Sequence, residues 1–153
     1  MKPIRKIMFP VDLSEASPKV APMARLMAEQ FGAELHVVFA ARAMDHYVGV
    51  YVPYPQVADF ESKIFQGAEK KLNEFIRENL GGLTIVARVV AGYPAEEILR
   101  YADEEKIDLI IMGTHGRKGL ERIVFGSVAD YVVKKARMPV LTVNPYRQAR
   151  PAA

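Results

Sequence analysis

Residues 113–127, GTHGRKGLERIVFGS, combine four glycines with several basic side chains. Glycine lets the backbone approach a ligand closely, and the unpaired amides at the start of a helix carry a partial positive charge. Ser127 adds a hydroxyl donor near the end of the stretch. These residue types in this order predict an anion site. Its basic side chains are His115, Arg117, Lys118 and Arg122.

Two common nucleotide signatures are absent from this stretch. The P-loop pattern GxxxxGK[ST] fails because Lys118 stands where its second glycine is required. The dinucleotide pattern GxGxxG fails because Gly113, Gly116 and Gly119 follow one another at intervals of three. The stretch is therefore neither a Walker motif nor an ordinary NAD site.

Strands and helices that could position these residues alternate along the chain. Short apolar runs rich in β-branched residues predict five strands, at residues 6–11, 34–40, 83–90, 108–112 and 139–143. Helical spacing between them predicts four helices, over about 17–31 and 64–80, from Pro94, and from Ser127 to about Ala136. This alternation predicts a Rossmann-like, doubly wound α/β domain with a mostly parallel sheet.

The boundaries of the first helix follow from residues that favour helix ends. Ser17 before Pro18 predicts a capped start, and Gly32 predicts the stop. Pro22 lies about one turn inside the helix and lacks a backbone donor. We therefore expect an irregular or shifted start.

Asp12 follows the first strand and Gly113 follows the fourth. If these two strands are neighbours, both residues face the crevice at the topological switch point of the sheet. Asp12 could accept hydrogen bonds from a ribose or a base amine, or it could serve as a turn or cap residue. His115 and the basic cluster could contact phosphate or be solvated, whereas His36, inside a strand, is expected to be structural.

Residues 41–59 form the one long connection between predicted elements, with three tyrosines and two prolines. Either a tolerated surface loop or a lid or partner surface would account for it, and the loop is the simpler interpretation.

Composition limits the class of protein. The length of 153 residues suits one domain, which we place at 1–146 with a tail at 147–153. A net charge of +3 is too small to predict nucleic-acid binding, and the absence of cysteine excludes disulfides and thiolate sites. The first apolar run is too short for a signal peptide, and no run could span a membrane. We expect a cytoplasmic protein.

The glycine stretch resembles the universal stress protein family in its nucleotide-binding branch, whose motif is GxxG, nine residues, then G[ST]. Here Gly113 and Gly116 are followed by residues 117–125 and then by Gly126 and Ser127, so every position is met. The likeness extends to KIMFPVDLSEAS, LHVV and GYPAEEIL and to residues 108–143, and thus covers nearly the whole chain. Only residues 41–59 lack a counterpart.

The resemblance implies a five-stranded parallel sheet of order 3-2-1-4-5 that binds ATP, or ADP or AMP, with or without Mg²⁺. From the residues themselves we assign no catalytic residue and no metal ligand. The resemblance also implies a homodimer built by the last strand, at Val140, Leu141, Thr142 and Val143.

Site residues carry over by their positions in the motifs. The resemblance implies that Pro10, Val11 and Asp12 contact ribose and adenine, and that Val37 contacts the base through its backbone. It implies a ribose and phosphate lining from the first half of the motif, and phosphate contacts from its end. The first group is Met112, Gly113, Thr114, His115, Gly116, Arg117, Lys118 and Gly119, and the second is Gly126, Ser127 and Val128.

Three function classes follow. The favoured one is an ATP-binding regulatory or stress-response protein whose nucleotide state alters its partner contacts. A slow ATPase or phosphotransferase would need a placed base and a Mg²⁺-binding carboxylate, and besides Asp12 only Glu121 is near in sequence. A nucleotide-independent dimeric interaction module is the third, and the intact motif argues against it.

Overall fold

The fold is a parallel sheet covered by helices on both faces, seen in a computed structural model that describes residues 2–42, 54–115 and 126–147. No helix in these ranges is long and apolar enough to cross a membrane. The elements are β1 (Lys6–Val11), α1 (Ser17–Phe31), β2 (Glu34–Ala41), α2 (Tyr54–Asn79), β3 (Ile85–Ala91), α3 (Pro94–Glu104), β4 (Leu109–Gly113), α4 (Ser127–Lys135) and β5 (Val140–Val143).

The strands of the described residues form one sheet of order β3-β2-β1-β4-β5, which confirms the expected topology. Every pairing is parallel, with Val11 opposite Phe39 and Gly113 opposite Val143. All the strand carboxyl ends therefore meet at one edge, and every helix begins at that same edge. β1 lies between β2 and β4. The chain adds β2 and β3 on one side of β1 and then β4 and β5 on the other, which makes the carboxyl end of β1 a topological switch point.

Two hydrophobic cores lie on opposite faces of the sheet because side chains alternate along each strand. On one face Ile7, Phe9 and Val11 of β1 pack against α1 and α2. On the other face Met8 packs with residues of α3 and α4, such as Ile98 and Val132. Burial on both faces explains why the strands are nearly continuously apolar.

The sequence predicted the end of α1 correctly but not its N-cap residue. Gly32 ends the helix at φ 58°, as expected for a glycine in the left-handed region. The predicted cap at Ser17 is wrong, because Ala16 occupies the N-cap position and Ser17 is the first helical residue. Pro22 is accommodated inside the helix. It is the sixth residue of the helix and lacks the donor that would otherwise reach the Pro18 carbonyl.

Two other boundaries differ from the prediction by more than one residue. α2 begins at Tyr54, so the last six residues assigned to the 41–59 connection are helical. Residues 43–53, which make up most of that connection, lie outside the described residues. β3 begins at Ile85, two residues later than predicted.

His36 is a hydrogen-bonded core residue, as predicted. Its Nδ1 lies 2.8 Å from the Tyr101 hydroxyl and its Nε2 lies 2.7 Å from Glu34 Oε1. Burial, followed by the negative charge of Glu105, raises the pKa of Tyr101. Both imidazole nitrogens are thus satisfied, which explains how the ring is tolerated inside the sheet.

Gly92 shapes the turn that delivers α3 to the carboxyl edge. It has a φ of 144°, and a Cβ added there would lie 2.7 Å from Glu97 Cγ. Glu97 is itself held by the guanidinium of Arg100, which also binds Glu104. Only glycine satisfies both the backbone and the packing requirement.

We predict that Gly92→Ala lowers the free energy of unfolding by about 1–3 kcal/mol, because alanine is strained at this φ and crowds Glu97. Gly67→Ala is the matched control. Gly67 lies within α2 with open space around its Cβ position, so alanine there should raise stability by roughly 0.5–1 kcal/mol. Urea titrations of both variants provide the measurement, and equal stability of Gly92→Ala and the parent protein would contradict the prediction.

Candidate functional site

A cleft of about 710 Å³ opens at the carboxyl edge of the sheet. Strands β1, β2 and β4 end at this cleft, and helices α1, α3 and α4 begin there. Its walls combine apolar side chains with backbone at the helix starts. The strand ends contribute Phe9, Pro10, Val11, Asp12, Val38, Phe39, Ala40, Arg42, Met112, Gly113, Thr114 and His115, and the helices contribute Ala16, Ser17, Val20, Pro94, Ile98, Gly126, Ser127, Val128 and Ala129.

Asp12 organises the turn between β1 and α1. Its Oδ1 accepts hydrogen bonds from the Ser14 amide at 3.0 Å, the Ser14 hydroxyl at 2.7 Å and the Ser17 hydroxyl at 2.9 Å. Leu13 between them has a φ of 58°, which is unfavourable for a residue with a Cβ. The three hydrogen bonds help to hold this strained turn in place.

The carboxylate of Asp12 retains binding capacity despite this structural role. Asp12 is exposed at the cleft, and its Oδ2 makes no hydrogen bond with any residue that the structure describes. The two interpretations of Asp12, as a turn residue and as a ligand acceptor, are compatible because each uses a different oxygen.

The ends of the glycine stretch meet each other directly. The Gly126 amide donates to the Thr114 carbonyl, and the Thr114 amide donates to the Val143 carbonyl at 2.9 Å. A Cβ at Gly126 would lie 3.1 Å from the Thr114 oxygen, and one at Gly113 would lie 3.3 Å from Val20 Cγ2. A Cβ at either position would therefore crowd its neighbours, which would have to move by a few tenths of an ångström, and neither glycine has a positive φ.

The first turn of α4 lies at the cleft, and the Ser127 and Val128 amides have no backbone hydrogen-bond partner among the residues that the structure describes. Gly126 is the N-cap with φ −67° and ψ 159°, and no side chain in the described ranges caps the helix. Ser127 and Val128 line the cleft at the first turn, where backbone amides lack partners within the helix. Together with the helix dipole, these donors make the end of α4 suitable for an anion.

His115 lines the cleft and its ring packs near that of Tyr146, which follows β5. His115 Nδ1 lies 2.9 Å from the Thr114 hydroxyl, and its ring centroid lies 6.4 Å from that of Tyr146. The Tyr146 hydroxyl lies 3.5 Å from Glu15 Oε1, and Lys19 Nζ lies 4.8 Å from the Tyr146 ring. Desolvation, followed by the charge of Glu15, raises the pKa of Tyr146.

Most of the predicted site residues line this one cleft. They are Pro10, Val11, Asp12, Met112, Gly113, Thr114, His115, Gly126, Ser127 and Val128. Predicted residues Gly116, Arg117, Lys118 and Gly119 lie outside the described residues, as do Glu121 and Arg122.

Val37 does not line the cleft. It is fully buried in the core on the α1 and α2 face, where it pairs with Phe9 and Ala87 in the sheet. β2 instead contributes Val38 to Ala40, because the cleft opens beyond the middle of the strand. The position of Val37 therefore gives no support to the predicted contact between its backbone and the base.

Sequence reasoning missed Arg42 and the start of α3, represented by Pro94 and Ile98. Arg42 immediately follows β2, so the rule that identified Asp12 after β1 also applies to it. Pro94 and Ile98 carry no sequence signal for a site. Within the described ranges, no group of three or more His, Asp or Glu residues is arranged to hold a metal ion.

Comparison with known sequences identifies relatives along nearly the whole chain. The profile of the universal stress protein family matches residues 3–144. Universal stress protein MJ0531 of Methanocaldococcus jannaschii is 36% identical over 142 residues, which covers 92% of this chain and 82% of that protein. Universal stress protein MJ0577 of the same archaeon is 34% identical over 155 residues, covering 92% and 94%.

Comparison with solved structures identifies the same fold. The structure of MJ0577 superimposes with a TM-score of 0.75 and 27% identity, covering 97% of this chain and all of that chain. A universal stress protein from Archaeoglobus fulgidus in complex with dAMP has a TM-score of 0.56 at 22% identity, with 92% and 98% covered. Another universal stress protein, in complex with cAMP, has a TM-score of 0.60 at 23% identity, with 94% and 99% covered.

We predict that Ser17→Ala lowers the free energy of unfolding by about 1 kcal/mol, because one hydrogen bond to the Asp12 carboxylate is lost. Ser62→Ala, at an exposed position of α2, is the matched control and should be neutral or slightly stabilising. Chemical denaturation measures both variants. If Ser17→Ala is no less stable than Ser62→Ala, the Ser17 hydroxyl does not support the turn.

Proposed function

We propose that this chain, which belongs to the universal stress protein family, binds ATP or a related adenine nucleotide in the cleft. The observation that carries the proposal is the convergence of the uncapped start of α4, the Asp12 carboxylate and an apolar wall on that cleft. An anionic group, a hydroxyl-bearing sugar and a flat apolar base each find a chemically matched surface there.

The start of α4 suits the phosphates. The amides of Ser127 and Val128 would donate to phosphate oxygens, and the Ser127 hydroxyl would add a further donor. Asp12 would accept from ribose hydroxyls through Oδ2. Val38, Pro94 and Ile98 supply the apolar surface for the base. Mg²⁺ would accompany the longer phosphate chains.

Relatives with this fold support an adenine nucleotide as the ligand class. The two universal stress proteins in complex with cAMP and dAMP hold different phosphate groups on an adenine-containing nucleotide. The complete G-x₂-G-x₉-G-S spacing of this chain supports the same class, with ATP, ADP and AMP as the candidate ligands.

The role we propose is regulatory: a cytoplasmic stress-response protein whose bound nucleotide alters its contacts with partners. Backbone amides and hydroxyls stabilise ground-state phosphates about as well as a transition state, and uniform binding gives affinity without rate. Asp12 lies at the cleft but is held by the turn through Oδ1. We therefore propose that the protein binds ATP and hydrolyses it far more slowly than an ordinary enzyme would.

Substitution of Ser127 tests the phosphate contacts. Proline is tolerated at the first helical position, and the ψ of 159° at Gly126 suits a residue that precedes proline. Ser127→Pro should therefore fold while losing one amide and the hydroxyl, and ATP affinity should fall by at least about tenfold. Ser127→Ala, which loses only the hydroxyl, is the matched control and should show a smaller decrease in calorimetry.

Three outcomes would count against the proposal. Parent protein that binds no adenine nucleotide would remove it, and a folded Ser127→Pro variant with unchanged affinity would remove α4 as the phosphate site. Conversion of ATP to ADP in the same samples at roughly 1 to 10³ s⁻¹ would favour the enzyme alternative.

A homodimer through β5 is the second part of the proposal. β5 is an edge strand of four half-buried apolar or β-branched residues. The carbonyls of Pro139 and Val143 accept hydrogen bonds from the amides of Ile110 in β4 and Thr114 just after it. Alternation therefore directs the backbone groups of Val140 and Thr142 away from the sheet. Such an edge can pair with a second copy across a two-fold axis.

We expect Thr142→Pro to shift the protein towards monomer, because proline removes an outward-facing donor from the edge strand but none from the β4 ladder. Thr142→Val keeps the amide and the side-chain shape and should remain dimeric. Sedimentation velocity at micromolar concentration measures the difference. A monomeric parent protein, or a fully dimeric Thr142→Pro variant, would contradict pairing through β5.

A further inference from the structure

Arg42 brings a guanidinium to the cleft. It follows the last residue of β2, it is exposed, and it lines the cleft. It makes no hydrogen bond or ion pair with any residue in the described ranges. Other arginines show the contrast, because Arg25 pairs with Glu29 and Arg100 pairs with Glu97.

The order of the strands places Arg42 far from the start of α4. β2 and β4 lie on opposite sides of β1, so the backbone after β2 and the backbone after β4 are about 10 Å apart. Asp12, at the end of β1, lies between them. A nucleotide with its phosphates at Ser127 and its sugar near Asp12 would therefore extend its base towards Arg42.

The surroundings of Arg42 on that side are apolar. Val38 and Ala40 belong to the β2 series that faces α3, and Pro94 and Ile98 approach from α3 itself. A planar base fits such a wall, but a second phosphate does not. Guanidinium is also planar and less strongly hydrated than an ammonium group, so it can stack on an aromatic face while its edges stay in water.

We infer that Arg42 is a specificity-determining residue that stacks on the base of the bound nucleotide. The inference rests on the proposed nucleotide site and adds a contact at its base end. Arg42 would extend over the base from the end of β2, beside the apolar wall that includes Pro94 and Ile98. Stacking on the aromatic face would favour a ligand with a base over a bare polyphosphate, which offers no such face.

The experiment compares three ligands, namely ATP, adenosine and inorganic tripolyphosphate, on the full chain. Arg42→Lys keeps the positive charge but loses the planar group, and Arg42→Gln loses the charge. Arg88→Lys is the matched control, because Arg88 on β3 is exposed and does not line the cleft. Affinities come from calorimetry for ATP and from ligand-observed NMR for the weaker ligands.

Both Arg42 variants should bind ATP and adenosine roughly threefold to tenfold more weakly, with tripolyphosphate affinity and the Arg88→Lys control unchanged. Equal losses for ATP and tripolyphosphate, with adenosine unaffected, would make Arg42 a phosphate contact and overturn the inference. Unchanged binding of all three ligands would also overturn it. If the parent protein binds none of them, the proposed function fails together with the inference, whereas parent binding that ignores Arg42 removes the inference alone.

Discussion

The parallel alignment of the five strands is the constraint on which the other features depend. Because each strand points the same way, each connection must return across a face of the sheet as a helix, and each helix then begins at the carboxyl edge. The carboxyl ends of the strands, the loop side chains that follow them and the first amides of the helices therefore lie at the same edge. Because the strand order changes side at β1, α1 packs on one face of the sheet and α3 on the other. The cleft lies between the starts of these two helices.

Within that arrangement, backbone contacts determine the shape of the cleft more than side chains do. Thr114 joins the start of α4 to β4 and β4 to β5, through its carbonyl and its amide. Gly113 and Gly126 permit these contacts because a Cβ would enter space already used by Val20 or by the Thr114 carbonyl. The same contacts link the proposed phosphate site to the edge strand through which we propose dimerisation.

Asp12 shows how one residue can serve both fold and function. Three hydrogen bonds to a single oxygen stabilise a turn in which Leu13 has a positive φ, and the second oxygen stays available at the cleft. The strain at Leu13 is thereby held next to the proposed ribose site, a common location for unfavourable backbone angles.

The sequence by itself determined the order of the elements, the fold class and the position of Asp12, because these follow from hydrophobic periodicity and from residues adjacent to strand ends. The glycine spacing predicted the start of α4, and its resemblance to a known family implied the strand order. Tertiary structure alone decided that Ser17 binds Asp12 instead of capping its helix, and that Arg42 lines the cleft while Val37 does not. It also showed that a side chain at Gly113 or Gly126 would crowd neighbouring atoms of the protein itself. These outcomes depend on distances between residues remote in sequence, or on how far each strand extends past its neighbours, and local propensity carries no information about either.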